Sequence, residues 1–271
     1  MASKKSKPQQ TIGYKPCSIK MLPENKWEAA AKTAAEHNPL NRPALSQFMR
    51  ALPGETIDHA RLAVLHTKYW GTKGVKLTVG FLDTASSALK KRILSHMNAW
   101  NKYCNVKFTL SNSSPQVRIS FSMPPPDDGY WSYLGTDILH IAKNEPTMNL
   151  DSFTMNTPES EFIRVVRHET GHTLGFPHEH LRAQIINRID RQKGIAYFER
   201  TQGWSEKEVI AQVFTPIPGS ALIATANADE HSIMCYGLPA QIMKDGKPVP
   251  GGTNIDKMDQ KFATSVYPKN K

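Results

Sequence analysis

Cysteine is scarce in this sequence: three residues in 271, at Cys17, Cys104 and Cys235. So few, and an odd number, cannot build a disulfide framework. A fold stapled by bridges is therefore excluded, and a reducing compartment is expected, with Cys104 and Cys235 as buried free thiols. Long hydrophobic runs are also missing. No apolar stretch approaches the roughly 20 residues that a bilayer-spanning helix needs, so no membrane segment is expected. The N-terminus, Met1-Ala2-Ser3-Lys4-Lys5-Ser6-Lys7, has the charges of a signal peptide but no apolar region behind them. Ordinary secretion is not expected, which leaves a cytoplasmic protein or one exported by a non-classical or dedicated route. Internal repeats and low-complexity segments are absent too, which argues against a solenoid.

Acidic residues are in deficit, 24 Asp and Glu against 34 Lys and Arg, for a formal charge of +10. The positive charges are spread along the chain, with one local cluster at Lys4, Lys5 and Lys7. Such a surface permits attraction to acidic peptides. It carries no recognisable nucleic-acid-binding motif, so nucleic acid is not an expected partner. With 39% hydrophobic residues the chain can bury a substantial core, as one large or two small soluble domains.

The order of elements is readable from periodicity. Residues 1–20 are polar and Lys-rich and read as a flexible basic arm. Glu24 to Glu36 is an alanine-rich helix with Trp27, Ala30, Ala31 and Ala34 at helical spacing, stopped by Asn38-Pro39. The stretch up to about Leu65, with Pro43, Pro53 and Gly54, is a wrapper of pro-segment type or an added extension. Val75, Leu77, Val79 and Phe81 alternate as a strand. Leu89, Ile93, Met97 and Trp100 form the core stripe of a helix that Asp83 or Thr84 can cap. Val106, Phe108 and Leu110, then Val117, Ile119 and Phe121, alternate as two further strands. Pro124 to Gly129 is a loop, and Gly129 to Gly135 an aromatic-rich strand. Thr147 to Leu150 reads as a last short strand. Asn156-Thr157-Pro158-Glu159 opens a helix that turns Phe162, Val165 and Val166 toward the core. Ser205 to Glu208 is a capping box before another helix, and Met258, Phe262, Val266 and Tyr267 mark a C-terminal helix stopped by Pro268.

The helix opened at Pro158 leads into His168-Glu169-Thr170-Gly171-His172-Thr173-Leu174-Gly175-Phe176-Pro177-His178. His168 and His172 are four residues apart and so project from one helix face, as two ligands of one metal ion can. Glu169 stands beside the first ligand but off the ligand face, as suits a general base acting on a metal-held water. Gly175 can take the left-handed conformation that ends a helix, and Pro177 prevents the helix from resuming. His178 can then return as a third nitrogen ligand, leaving a fourth position open, which is how catalytic zinc sites are built.

This motif resembles that of the metzincin metallopeptidases, and Gly175 to Arg182 resembles the astacin branch. Ser232-Ile233-Met234-Cys235-Tyr236-Gly237 resembles the methionine turn of the same family. The resemblance implies an α+β, zincin-like metzincin fold: a twisted mixed sheet with an antiparallel edge strand, an active-site helix and a mostly helical C-terminal subdomain. Its catalytic domain would occupy 67–271, with sharp motifs at 168–182 and 232–237, preceded by the arm at 1–20 and a helical extension or pro-segment-like region at 21–66. The resemblance implies a zinc metalloendopeptidase acting on peptides or proteins, with one catalytic Zn2+ held by His168, His172 and His178. Glu169 would be the general base. Tyr236 would leave the resting metal to hydrogen-bond the oxyanion, and Met234 would support the metal from below without ligating it. The strand at Gly129 to Gly135 would be the exposed edge to which an extended substrate adds itself.

Four residues stand apart. Cys104 follows its helix where astacins often carry a disulfide cysteine, but the usual partner is missing. Glu179 matches the glutamate that contacts a freed N-terminus through water; with no processing site evident here, pairing with Arg182 is expected instead. His180 is expected to be an exposed or packing histidine. Lys15-Pro16-Cys17 matches, in one Pro-Cys pair, the thiolate switch of latent metzincins, yet an uninvolved free cysteine is the expectation. Two other readings compete with the peptidase: a zinc-containing peptide- or protein-binding module without turnover, and a protease effector or toxin directed to one intracellular target. A monomer is expected.

Overall fold

The computed structural model describes residues 17–41, 67–215 and 227–269. The expected loop-rich stretch at Pro43, Pro53 and Gly54 and the Lys4, Lys5, Lys7 cluster lie outside them. Alternation produces the strands where it was legible: β2 (Val75–Phe81), β3 (Val106–Leu110), β4 (Val117–Ser120), β5 (Tyr130–Tyr133) and β6 (Met148–Leu150). One strand was not expected. Cys17–Lys20, the end of the anticipated arm, forms β1.

These strands make one six-stranded sheet in the order β1-β5-β6-β4-β2-β3. Pairing is parallel throughout except between β5 and β6. β1 and β5 therefore both run opposite to the other four strands, and the antiparallel edge is β1, with the expected edge strand β5 lying one place inside it. β1 lies outside β5 in parallel register, Cys17 opposite Tyr130 and Lys20 opposite Tyr133. The reason is local: β1 supplies the row of backbone donors and acceptors that an uncovered β5 would leave unpaired.

Helices pack the sheet and extend the core. α1 (Trp27–His37) buries Ala30, Ala31 and Ala34. It is tied to the domain through Asn38, whose amide donates to the Trp70 carbonyl at 2.9 Å, and through Asn41, whose side chain bridges Ala34 and Tyr69. α2 (Ser87–Met97) presents Leu89, Ile93 and Met97 to the core. Its cap is Ser86 rather than Asp83 or Thr84. Asp83 is engaged elsewhere, accepting from the Ser120 hydroxyl and the Phe121 N–H, so its carboxylate braces the end of β4.

The active-site helix starts after Pro158, which stands at the cap position without a side-chain cap. One turn (Glu159–Glu161) leads into a wide π turn (Phe162–Val166) and then α3 (Arg167–Thr173). Phe162, Val165 and Val166 are fully buried. α4 (Arg191–Gln202) runs from the Asp190 cap to a left-handed Gly203. The capping box at Ser205 and Glu208 forms as its pattern required, and α5 (Lys257–Val266) closes the described chain. Among the described residues no helix is long and apolar enough to cross a membrane.

The far end of α3 is held by two aromatic residues from distant parts of the chain. The Trp70 indole donates to the Thr173 carbonyl at 2.8 Å. The Tyr267 hydroxyl donates to the Leu174 carbonyl and accepts from the Trp70 N–H at 3.0 Å. Both carbonyls belong to the helix end, where no intrahelical donor exists, and all four residues are buried away from water. Tyr267→Phe should therefore leave two buried polar groups unpaired and cost about 2–4 kcal/mol in denaturant unfolding. A loss below about 0.5 kcal/mol would show that the latch contributes nothing.

Candidate metal centre

α3 places His168 and His172 on one face, one turn apart, with ring centroids 4.7 Å apart. A Schellman turn then reverses the chain. Gly175 sits at φ +90°, its N–H donates to the His172 carbonyl at 2.7 Å, and the Phe176 N–H donates to Gly171 at 2.9 Å. A Cβ at Gly175 would come within 3.0 Å of the Lys68 carbonyl oxygen. The reversal carries His178 back over the helix. Its Nε2 lies 3.2 Å from that of His168 and 3.0 Å from that of His172.

The tautomers follow from the acceptors. His168 Nδ1 lies 2.6 Å from the Ile233 carbonyl and His172 Nδ1 2.7 Å from the Phe176 carbonyl. A carbonyl only accepts, so each Nδ1 carries the proton and each Nε2 offers a lone pair. Burial holds His168 down to about 4, and it holds His172 and His178 well below the usual histidine range, with the neighbouring imidazoles adding to the effect. Three neutral, water-excluded imidazoles thus converge on one point, a donor set that suits zinc. The three sequence-predicted ligands are brought together.

The methionine turn forms the floor. Besides the Ile233 carbonyl, it supplies the Met234 carbonyl to the Glu179 N–H at 2.8 Å, which fixes the chain just after His178. Met234 packs so closely beneath α3 that a Cβ on Gly171 would come 2.4 Å from its sulfur. The turn is itself anchored by Asp259 of α5, which accepts from the Ser232 hydroxyl at 2.6 Å and from the Ile233 N–H at 2.9 Å. Sequence reasoning assigned Asp259 no role. Its only local signal was the capping pattern with Asp256.

Glu169 is fully buried. Burial pushes its carboxyl up to about 7, against hydrogen bonds from Cys17 and Ser132 and the nearby Arg164 charge. The Ser132 hydroxyl stands 2.7 Å from Oε2. Ser132 lies on β5, so the strand beside the cleft also holds the candidate base; this residue, too, was not singled out by its sequence. Tyr236 is buried with its ring against His178 at 4.4 Å and stacked on His180 at 4.0 Å. His180 is a packing histidine, with Nε2 2.9 Å from the Gln212 carbonyl. Glu179 pairs with Arg182 at 2.6 Å.

Cys17 departs from expectation. The register of β1 on β5 lowers it over α3, where its sulfur, a His168 nitrogen and a Glu169 oxygen lie within 4.8 Å of one another. It is buried at the centre rather than uninvolved. Cys104 and Cys235 are buried free thiols elsewhere in the core.

A converging imidazole trio beside a buried carboxylate, on a helix packed under a mixed sheet, defines a zinc-metallohydrolase class of site. Residues 64–196 match the peptidase family described as Astacin. The chain is similar to the solved structure of myroilysin, with 32% identity, a TM-score of 0.69, and coverage of 75% of this chain and 97% of that one. The chain belongs to the astacin family of zinc metallopeptidases. The fold is also shared with high choriolytic enzyme 1, a hatching enzyme zinc-protease from Oryzias latipes, at 19% identity and a TM-score of 0.50, covering 75% of this chain and 96% of that one. Protein SpAN of Strongylocentrotus purpuratus is 24% identical over 181 residues, 65% of this chain; the chain spans 26% of its length.

Metal removal should be costly to the fold, because the three lone pairs then face one another across a dry site. With zinc at a thousandfold over its dissociation constant, linkage contributes about 4 kcal/mol. Thermal unfolding with and without a chelator measures this. An unchanged midpoint would contradict the reading of these imidazoles as a metal seat.

Proposed function

We propose that this chain is an endopeptidase in which His168, His172 and His178 hold a single zinc ion, Glu169 is the general base and Tyr236 stabilises the oxyanion. The observation that carries this reading is the convergence of three neutral Nε2 atoms beside a fully buried Glu169. When bound, zinc supplies a water acidic enough to ionise near neutral pH and a Lewis acid toward the peptide carbonyl.

The protein's own groups do the rest. Glu169, raised to about 7, is matched to taking a proton near neutrality and returning it to the departing amine. Ser132 fixes the carboxylate through Oε2 and leaves Oε1 for that proton. Tyr236 is braced between the His178 and His180 rings, so its aromatic body is set relative to the ligand trio. β5 offers the backbone edge on which an extended substrate would be held once that edge is free.

In the chain as described the edge is covered, and this supports a latent form. β1 occupies the place of a substrate strand, and Cys17 occupies the space beside His168 and Glu169. Burial and the Glu169 charge raise the Cys17 thiol well above its usual range, so as a thiol it donates to the Glu169 carboxylate and blocks the base. A sulfur placed beside the imidazoles is also of the donor type that zinc accepts. Activity then requires β1 to leave β5.

Two experiments follow. A mixed peptide library should be cleaved by zinc-loaded protein freed of β1, and Glu169→Ala at equal metal content should lose at least about 100-fold in rate. Equal rates would remove Glu169 from the mechanism. For latency, the full chain should cleave at least about tenfold more slowly than Cys17→Ala or a chain beginning near Leu65. Identical rates in all three would exclude the Cys17 block, and no cleavage by any of them, with zinc bound, would favour a binding module.

A further inference from the structure

Resting on the reading of β1 as the occupant of the substrate strand's place on β5, we propose that Asp127 and the indole face of Trp131 form a subsite for a lysine or arginine side chain of the substrate. In the chain as described, Lys20 of β1 fills that subsite. Lys20 stands opposite Tyr133 at the end of the β1–β5 ladder. Its ammonium forms an ion pair with the Asp127 carboxylate and lies 5.1 Å from the centre of the Trp131 ring.

Ring and carboxylate are fixed independently of the lysine. The Trp131 indole N–H donates to the Asp127 carbonyl at 2.7 Å, and the Asp127 N–H donates to the Pro124 carbonyl at 2.9 Å, so main-chain groups of one loop hold the two together. The Tyr133 ring packs edge-on against the indole, with centroids 5.9 Å apart. Among the described residues the Asp127 carboxylate has no partner besides Lys20. When β1 leaves, this carboxylate becomes an uncompensated negative charge beside an electron-rich ring face, the pairing that recognises an alkylammonium or a guanidinium. Burial lowers the Lys20 ammonium from the usual lysine range, so the cation is taken partly out of water, where both contacts count for more.

Alternation separates this subsite from the reacting centre. Cys17 and Ile19 share a face with Ser132, the face turned toward Glu169, whereas Lys20 shares the opposite face with Trp131 and Tyr133. Cys17 marks the reacting centre beside His168 and Glu169, and Lys20 stands three residues further along the strand. A basic side chain of the substrate therefore enters roughly two to four residues from the scissile bond. Between the two points the strand is held from its other side by Gln212, whose side-chain amide donates to the Ile19 carbonyl at 3.1 Å. The net charge of +10 favours acidic peptides at long range, whereas this pocket selects a cation by contact.

The test uses the zinc-loaded full chain carrying Cys17→Ala and Lys20→Ala, which removes the block and empties the subsite. A peptide library should be cleaved with Lys or Arg favoured over norleucine about tenfold at one position. Asp127→Asn in that background should abolish the preference, and Asp127→Arg should turn it toward Glu, a reversal that damage to the loop cannot produce. A second readout needs no turnover. With Glu169→Ala added, a fluorescent peptide copying residues 14–22 should bind at least about tenfold more tightly than the same peptide with norleucine in place of Lys20, and Asp127→Asn should remove the difference. Equal affinity for the two peptides, binding of neither, or no preference for a basic side chain among the cleaved peptides overturns the subsite. Lysine-dependent binding without any cleavage upholds it and counts against the peptidase reading alone.

Discussion

Everything in the centre depends on two backbone carbonyls, those of Ile233 and Phe176. Each accepts the Nδ1 proton of a buried imidazole and so decides which nitrogen is left bare. Without them His168 and His172 could expose either nitrogen, and their convergence with His178 would not be chemically defined. Both carbonyls lie in turns, and the turns are secured from outside. The first is held by Asp259 at the start of α5. The second follows Gly175, in a reversal whose helix-end carbonyls are taken by Trp70 and Tyr267. The C-terminal helix thus supports the metal centre although it supplies none of the three imidazoles.

The sheet contributes in a different currency. β5 places Ser132 against the Glu169 carboxylate, so the strand proposed to bind a chain also holds the proposed base. Burial raises that carboxyl, and the hydrogen bonds from Cys17 and Ser132 and the Arg164 charge lower it, for a balance near 7. The acidity of Glu169 is consequently shared between its burial and side chains of the two adjoining strands, β1 and β5.

What was legible in the sequence was what local periodicity encodes. Histidines at i and i+4 name their own geometry, and Gly175 and Pro177 announce the reversal that brings His178 back. The strands at Val75 and Val106 declared themselves by alternation. What was not legible required a partner far along the chain. Cys17 reaches Glu169 only because β1 pairs with β5, and nothing in a four-residue strand states which strand it will join. Ser132 and Asp259 look like ordinary polar residues until a fold sets Glu169 and the methionine turn beside them. The cap of α2 was misplaced because Asp83, Thr84 and Ser86 are all competent caps, and Asp83 is drawn away by Ser120. α4 went unread because it buries only Gly194 and Phe198, too thin a stripe to show as a period, although Asp190 and Gly203 bracket it with a start and a stop.

The parallel pairing of β1 has a further meaning for the life of the molecule before it meets any substrate. A strand edge that can accept a peptide can accept any strand, including that of another newly made copy, and open edges are where sheets aggregate. β1 and β5 lie far apart along the chain, so their pairing is a contact of high sequence separation. Once it forms, β5 is paired on both sides, and the margin of the sheet has moved out to β1. The same four residues that pair with β5 therefore shield its backbone groups, and releasing them would turn a strand inside the sheet into a border that can pair again.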